Sequence, residues 1–117
     1  MNSVPEASTA PPLGDMSKED FRRFGHELID WISDYFENIE SFPVLAQIEP
    51  GELKAQLPSA PPAQGEPMQK ILADLDRLII PAITHWSHPS FFAYFATSTS
   101  APGIFGELLT EIGRAHV

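Results

Sequence analysis

Leu78-Ile79-Ile80-Pro81-Ala82-Ile83-Thr84-His85-Trp86-Ser87-His88-Pro89-Ser90-Phe91-Phe92-Ala93-Tyr94-Phe95-Ala96-Thr97-Ser98-Thr99-Ser100-Ala101-Pro102-Gly103-Ile104-Phe105-Gly106 contains no Asp, Glu, Lys or Arg. The chain has 117 residues and a net charge of −9, so every charged side chain sits outside this stretch. A membrane span wants about 20 predominantly apolar residues. Pro81, His85, Ser87, His88, Pro89, Ser90 and Thr97 interrupt the run, so it is not one. A charge-free, aromatic-rich stretch in an acidic chain is expected to be buried, in a core or against another surface.

The flanks predict helices. Upstream, Met68, Ile71, Leu72, Leu75, Leu78 and Ile79 share one helical face, Lys70, Asp74 and Arg77 the other, and Pro81 is expected to stop the helix. Downstream, Ser100 is placed to cap a last helix with Pro102 in its first turn and Ile104, Phe105, Leu108 and Leu109 as its apolar side. Between them, His85 to Ser90 reads as a turn, and Phe91 to Phe95 as a short extended run.

Further out, Ser17 caps a long helix whose first turn carries Glu19 and Asp20, where negative charge suits the helix dipole. Phe21, Phe24, Leu28, Trp31, Ile32, Tyr35 and Ile39 recur at steps of three and four, and all the large apolar residues from Phe21 to Phe42 fall within an arc of about 160°. Pro43 ends this helix at or before Phe42. Gly25, in its middle, costs up to about 1 kcal/mol relative to Ala, which points to a close neighbour there. Pro50 is placed as the first residue of a short helix running to about Leu57. Residues 58–67 hold four of the chain's 12 prolines and read as a stiff linker; residues 1–16 read as a disordered tail. The fold class is mainly α.

Composition excludes several functions. Seven scattered Lys and Arg cannot track a phosphate backbone, so nucleic acid is not an expected partner, and an acidic chain gains nothing from anionic lipid. Zero cysteines exclude disulfides and thiolate metal sites. The start lacks the basic and apolar regions of a signal peptide, so a cytoplasmic location is expected. His85 and His88 have no nearby carboxylate to complete a metal site and read as turn or cap histidines. No phosphate loop or nucleophile elbow is present. What remains is an aromatic cluster, Trp86, Phe91, Phe92, Tyr94 and Phe95, followed by the hydroxyls of Thr97 to Ser100. Such a cluster is ordinarily core. With hydroxyl donors beside it, the other use is a pocket for a flat ligand with a polar end.

The run Thr84 to Phe95, with Thr97 and the Ser100-Ala101-Pro102-Gly103 turn, resembles the pyridoxal-phosphate-dependent aromatic-L-amino-acid decarboxylases. Phe21-Arg22-Arg23, Glu49-Pro50-Gly51, the Pro-rich linker and Ile80-Pro81 extend the resemblance over most of the chain. It implies the N-terminal helical segment of a longer, fold-type I (aminotransferase-like) enzyme, residues 17–110, whose helices wrap over the neighbouring subunit of a homodimer. It also implies Trp86, Tyr94 and Phe95 as aromatic lining of the substrate site and Thr97 as a substrate contact. Ala96 stands where many members have proline. The family's Schiff-base lysine, its pyridine-pairing aspartate and its ring-stacking histidine lie downstream of any match here, and Lys18, Lys54 and Lys70 sit in no matching motif. Residues 111–117 depart from the resemblance and are expected to be a non-native tail. The implied activity is decarboxylation of aromatic amino acids by the longer enzyme, with this segment inactive alone. A small helical binding or dimerisation module without chemistry stays open beside it.

Overall fold

Ser17 opens the first helix as its sequence demands: the Ser17 Oγ accepts the Asp20 backbone N–H at 3.1 Å. The computed structural model describes residues 16–93 and 99–113. Its helices are α1 (Lys18–Glu37), α2 (Glu52–Gln56), α3 (Met68–Asp74) and α4 (Ala101–Thr110), and there is no strand among the described residues. The chain divides into two compact units, residues 1–35 and 36–117. The expected disordered tail falls almost wholly on residues outside those described, as do residues 114–117 of the expected non-native tail.

In the first unit, α1 carries the expected apolar stripe. Phe24 is buried, with the Arg23 guanidinium 4.6 Å above its ring, and Trp31 stacks on Tyr35 at 5.5 Å. Phe21 remains 69% exposed. Burial raises the Tyr35 hydroxyl above its ordinary pKa. Gly25 corrects its expectation: a Cβ there would meet nothing within 4 Å. Its helix-weakening effect therefore goes uncompensated by any close approach among the described residues.

The second unit begins at Phe36, at the end of α1, and continues into a 3₁₀ turn, Ile39–Ser41, ahead of Pro43. α2 starts two residues later than expected. Gly51 takes φ +87° as its N-cap, a left-handed conformation suited to glycine. Pro50 therefore lies outside the helix, and the Glu52 carboxylate reaches back to the Glu49 N–H at 3.0 Å. Residues 58–67 form no helix and are exposed.

Pro81 does not stop the α3 helix as expected. The winding changes earlier, to a π-helical turn at Leu75–Ile79 and then a 3₁₀ turn at Ile80–Ala82 that includes Pro81. A proline lacks the N–H for the i−4 carbonyl, here that of Arg77, and its ring crowds that carbonyl. Widening the turn before it accommodates the ring while the chain keeps coiling. α2 packs on this π-helical turn. Ile39, Leu78 and Ile80 are the buried apolar side chains of this unit among the described residues, and His85 is the buried polar one.

α4 is capped as read: the Ser100 Oγ accepts the Gly103 N–H at 3.1 Å. Its apolar side is largely uncovered, with Phe105, Leu108 and Leu109 all exposed. The charge-free stretch thus divides: its first third holds the buried Leu78, Ile80 and His85, and its last third is open.

Candidate functional site

The turn after Ala82 is built by a relay of backbone hydrogen bonds. The His85 N–H donates to the Val44 carbonyl at 2.9 Å, the His88 N–H to the His85 carbonyl at 3.0 Å, and the Phe91 N–H to the His88 carbonyl at 3.0 Å. The Ser90 N–H donates to the His88 Nδ1 at 2.9 Å. The two consecutive turns return the chain on itself, so Trp86 and Phe91 meet with ring centres 5.6 Å apart and planes 17° apart. Ser87 and Thr99, twelve residues apart, bring their hydroxyls to 3.5 Å and join this turn to the entry of α4.

His85 anchors the turn from inside. Only 2% of it is exposed, and its ring stacks on Phe42 with centres 4.8 Å apart and planes 21° apart. Burial lowers its pKa below the ordinary imidazole value; a hydrogen bond with the Ile80 backbone opposes this, and the nearby His88 adds to it. The neutral imidazole is the favoured form. Reading His85 as an ordinary turn histidine therefore missed its role as a core residue. Phe42 and Val44 lie some forty residues away in sequence, and no local pattern marks that pairing.

Trp86 presents an aromatic face to its surroundings, 53% exposed, and Phe92 is 89% exposed. No formal charge lies nearby in the sequence to compete for that face. An exposed tryptophan edge beside a second ring is a surface on which a flat aromatic ligand can pack. Tyr94, Phe95 and Thr97, the other expected lining residues, lie outside the described residues. The structure brings together the two ends of the segment that contains them, through Ser87 and Thr99.

The described residues do not fit an attachment point for pyridoxal phosphate. A Schiff-base lysine must shed its proton. Lys70 does the opposite: hydrogen bonds to the Glu66 carboxylate and to Asp74, 3.3 Å away, raise its pKa. Asp74 is held low in turn, by Arg77 at 2.9 Å and by Lys70. Lys18 and Lys54 are exposed on α1 and α2. No group of three or more metal-binding side chains occurs among the described residues, and no helix there is long and apolar enough to cross a membrane.

Comparison with known proteins gives this arrangement its context. A phenylacetaldehyde synthase of Petunia hybrida is 50% identical over 95 residues, covering 81% of this chain and 19% of the relative. A tryptophan decarboxylase of Camptotheca acuminata is 47% identical over 104 residues, covering 89% of this chain and 21% of the relative. Among solved structures, the tryptophan decarboxylase of Catharanthus roseus in complex with L-tryptophan superposes with a TM-score of 0.77 at 36% identity, over 86% of this chain and 22% of that one. The chain thus spans about a fifth of the length of the relatives it matches. The family described as the pyridoxal-dependent decarboxylase conserved domain matches residues 50–116, more than half of the sequence. The Pro-rich linker, the rewound α3 helix, the His85–Phe91 turn and α4 all fall inside that match, and the chain belongs to the pyridoxal-dependent decarboxylase family.

Proposed function

We propose that this chain is the N-terminal helical segment of a pyridoxal-phosphate-dependent carboxy-lyase that acts on aromatic L-amino acids, and that it supplies part of the substrate wall. The reading rests on the likeness to tryptophan decarboxylases and a phenylacetaldehyde synthase. The observation that carries it is Trp86, half-exposed and stacked on Phe91 within a charge-free stretch of the sequence. Trp86, Tyr94 and Phe95 line the ring-binding side, and the Thr97 hydroxyl contacts the polar end of the substrate. These side chains bind and orient the substrate. Covalent attachment of the cofactor falls to a lysine outside those described here. The enzyme acts as a homodimer, and the exposed apolar side chains of α1 and α4 are covered in that assembly.

The test has two arms. The 117-residue polypeptide, incubated with pyridoxal phosphate and reduced with borohydride, takes up no covalent label; label on Lys18, Lys54 or Lys70 contradicts the reading. In the second arm, residues 16–113 replace the matching segment of the Catharanthus roseus enzyme. The chimera converts L-tryptophan, L-tyrosine or L-phenylalanine and leaves L-glutamate untouched. A chimera that folds and loads cofactor yet shows no preference for aromatic substrates refutes the assignment.

A further inference from the structure

His85 is unusual in this chain on three counts that have no part in the function proposed above. It is the buried polar side chain among the described residues. Its main chain ties the His85–Phe91 turn to Val44, and its ring stacks on Phe42. It immediately precedes Trp86, so any rotation at His85 swings the Trp86 ring. Buried polar groups are retained when they are satisfied and when they fix one arrangement among several. A phenylalanine at this site keeps the stack but loses the hydrogen bond to the Ile80 backbone; a charged imidazole is disfavoured there by burial.

We propose that His85 is a positioning residue, a neutral imidazole clamped between Phe42 and the Ile80 backbone that holds the turn in register and so sets the direction in which Trp86 meets an aromatic substrate. The substrate half of this statement rests on the function proposed above; the positioning half does not. Several groups face His85 among the described residues. Phe42, Val44 and Ile80 carry no charge, and His88 is the titratable neighbour whose charge it feels. Adding a proton to His85 places a charge in a buried site, where burial disfavours it, and releases the turn.

The positioning half is tested on the chain itself with Trp86 as the reporter. Trp31→Phe removes the other tryptophan while keeping a ring on Tyr35. Acrylamide quenching of Trp86 is then followed from pH 8 to pH 4.5. Quenching is expected to rise as His85 takes its proton, by no more than about twofold, because Trp86 is already 53% exposed. In Trp31→Phe/His85→Gln the amide keeps hydrogen-bonding capacity without a titration, and the rise disappears. In Trp31→Phe/His88→Asn the side-chain oxygen still accepts the Ser90 N–H as an Asx turn, and the rise persists. A rise that survives His85→Gln or vanishes with His88→Asn overturns the proposal, as does a flat wild-type profile. If His85→Gln fails to fold by circular dichroism, the wild-type and His88→Asn profiles still decide.

The substrate half is tested in the active chimera. His85→Gln is expected to raise KM for the aromatic substrate several-fold with kcat within about twofold, the pattern of lost ground-state positioning, and to leave cofactor absorbance unchanged. Loss of kcat or of cofactor in place of the KM effect overturns this half. A chimera inactive with the unaltered segment refutes the proposed function, and the fluorescence result then stands or falls separately.

Discussion

Three glycines in helices differ in what a methyl group would meet, and that difference yields a quantitative prediction. A Cβ on Gly25 or Gly106 would touch nothing within 4 Å, whereas on Gly103 it would lie 3.0 Å from the Ser100 Oγ that caps α4. Gly→Ala in a helix is worth about 1 kcal/mol, so Gly106→Ala should realise most of that. Gly103→Ala forces the cap oxygen to move by a few tenths of an ångström, and a serine cap is itself worth about 1 kcal/mol. The two effects offset, and the net gain should be near zero. With the cap removed by Ser100→Gly, Gly103→Ala should regain its full benefit, giving a coupling of about 1 kcal/mol between the two positions. Amide exchange across residues 106–110 reads this directly, since about 1 kcal/mol is roughly a fivefold change in local protection. If Gly103→Ala slows exchange as much as Gly106→Ala while Ser100 is present, the cap geometry described here is wrong.

Two further predictions concern the site and pH. In the active chimera, Thr97→Val should lower kcat/KM roughly ten- to a hundredfold, since a hydrogen bond to a charged group is worth about 1.5–3 kcal/mol. Tyr94→Ala should cost at least as much, with cofactor absorbance unchanged; kinetics matching the unaltered chimera, or loss of cofactor, would remove these residues from the wall. The His85 pKa is lowered by burial, so the unfolded chain binds its proton first as pH falls. Its stabilisation is complete above about pH 6.5, declines as pH drops through the folded-state value, and changes no further below it. Urea midpoints at pH 7.5 and pH 5 should therefore differ in the wild type by more than in His85→Gln. Equal differences would assign the loss to other groups.

What the sequence made legible was local. Ser17 and Ser100 were readable as caps because the acceptor and its N–H donor are three residues apart. The 85–90 turn was readable from its polar and proline residues. Three features were not. Gly51, whose φ is positive, displaces Pro50 from the helix start, and a proline beside a glycine does not announce which of them takes the boundary. Pro81 was read as a stop because a proline cannot continue an ideal α-helix, yet a change of winding a turn earlier absorbs it. The burial of His85 depends on Phe42, a tertiary contact that periodicity cannot reach. Of the four residues proposed for the substrate wall, Trp86 has its setting described; the proposal came through family resemblance and not through any spacing rule.

The π-helical turn also governs phase. In an unbroken α-helix, residues two apart point about 200° from each other, and a π-helical turn passing into a 3₁₀ turn does not bring Leu78 and Ile80 onto one face. Both are buried, so the segment is covered on two sides. The segment from Leu75 to Ala82 works as a rotational gear whose setting depends on how many residues it holds more than on which ones. Conservative substitutions of Leu75 or Ile79 should leave the gearing alone. Deleting a single residue there would turn everything that follows by about 100°, carrying His85 off Phe42 and Trp86 away from the direction it now faces.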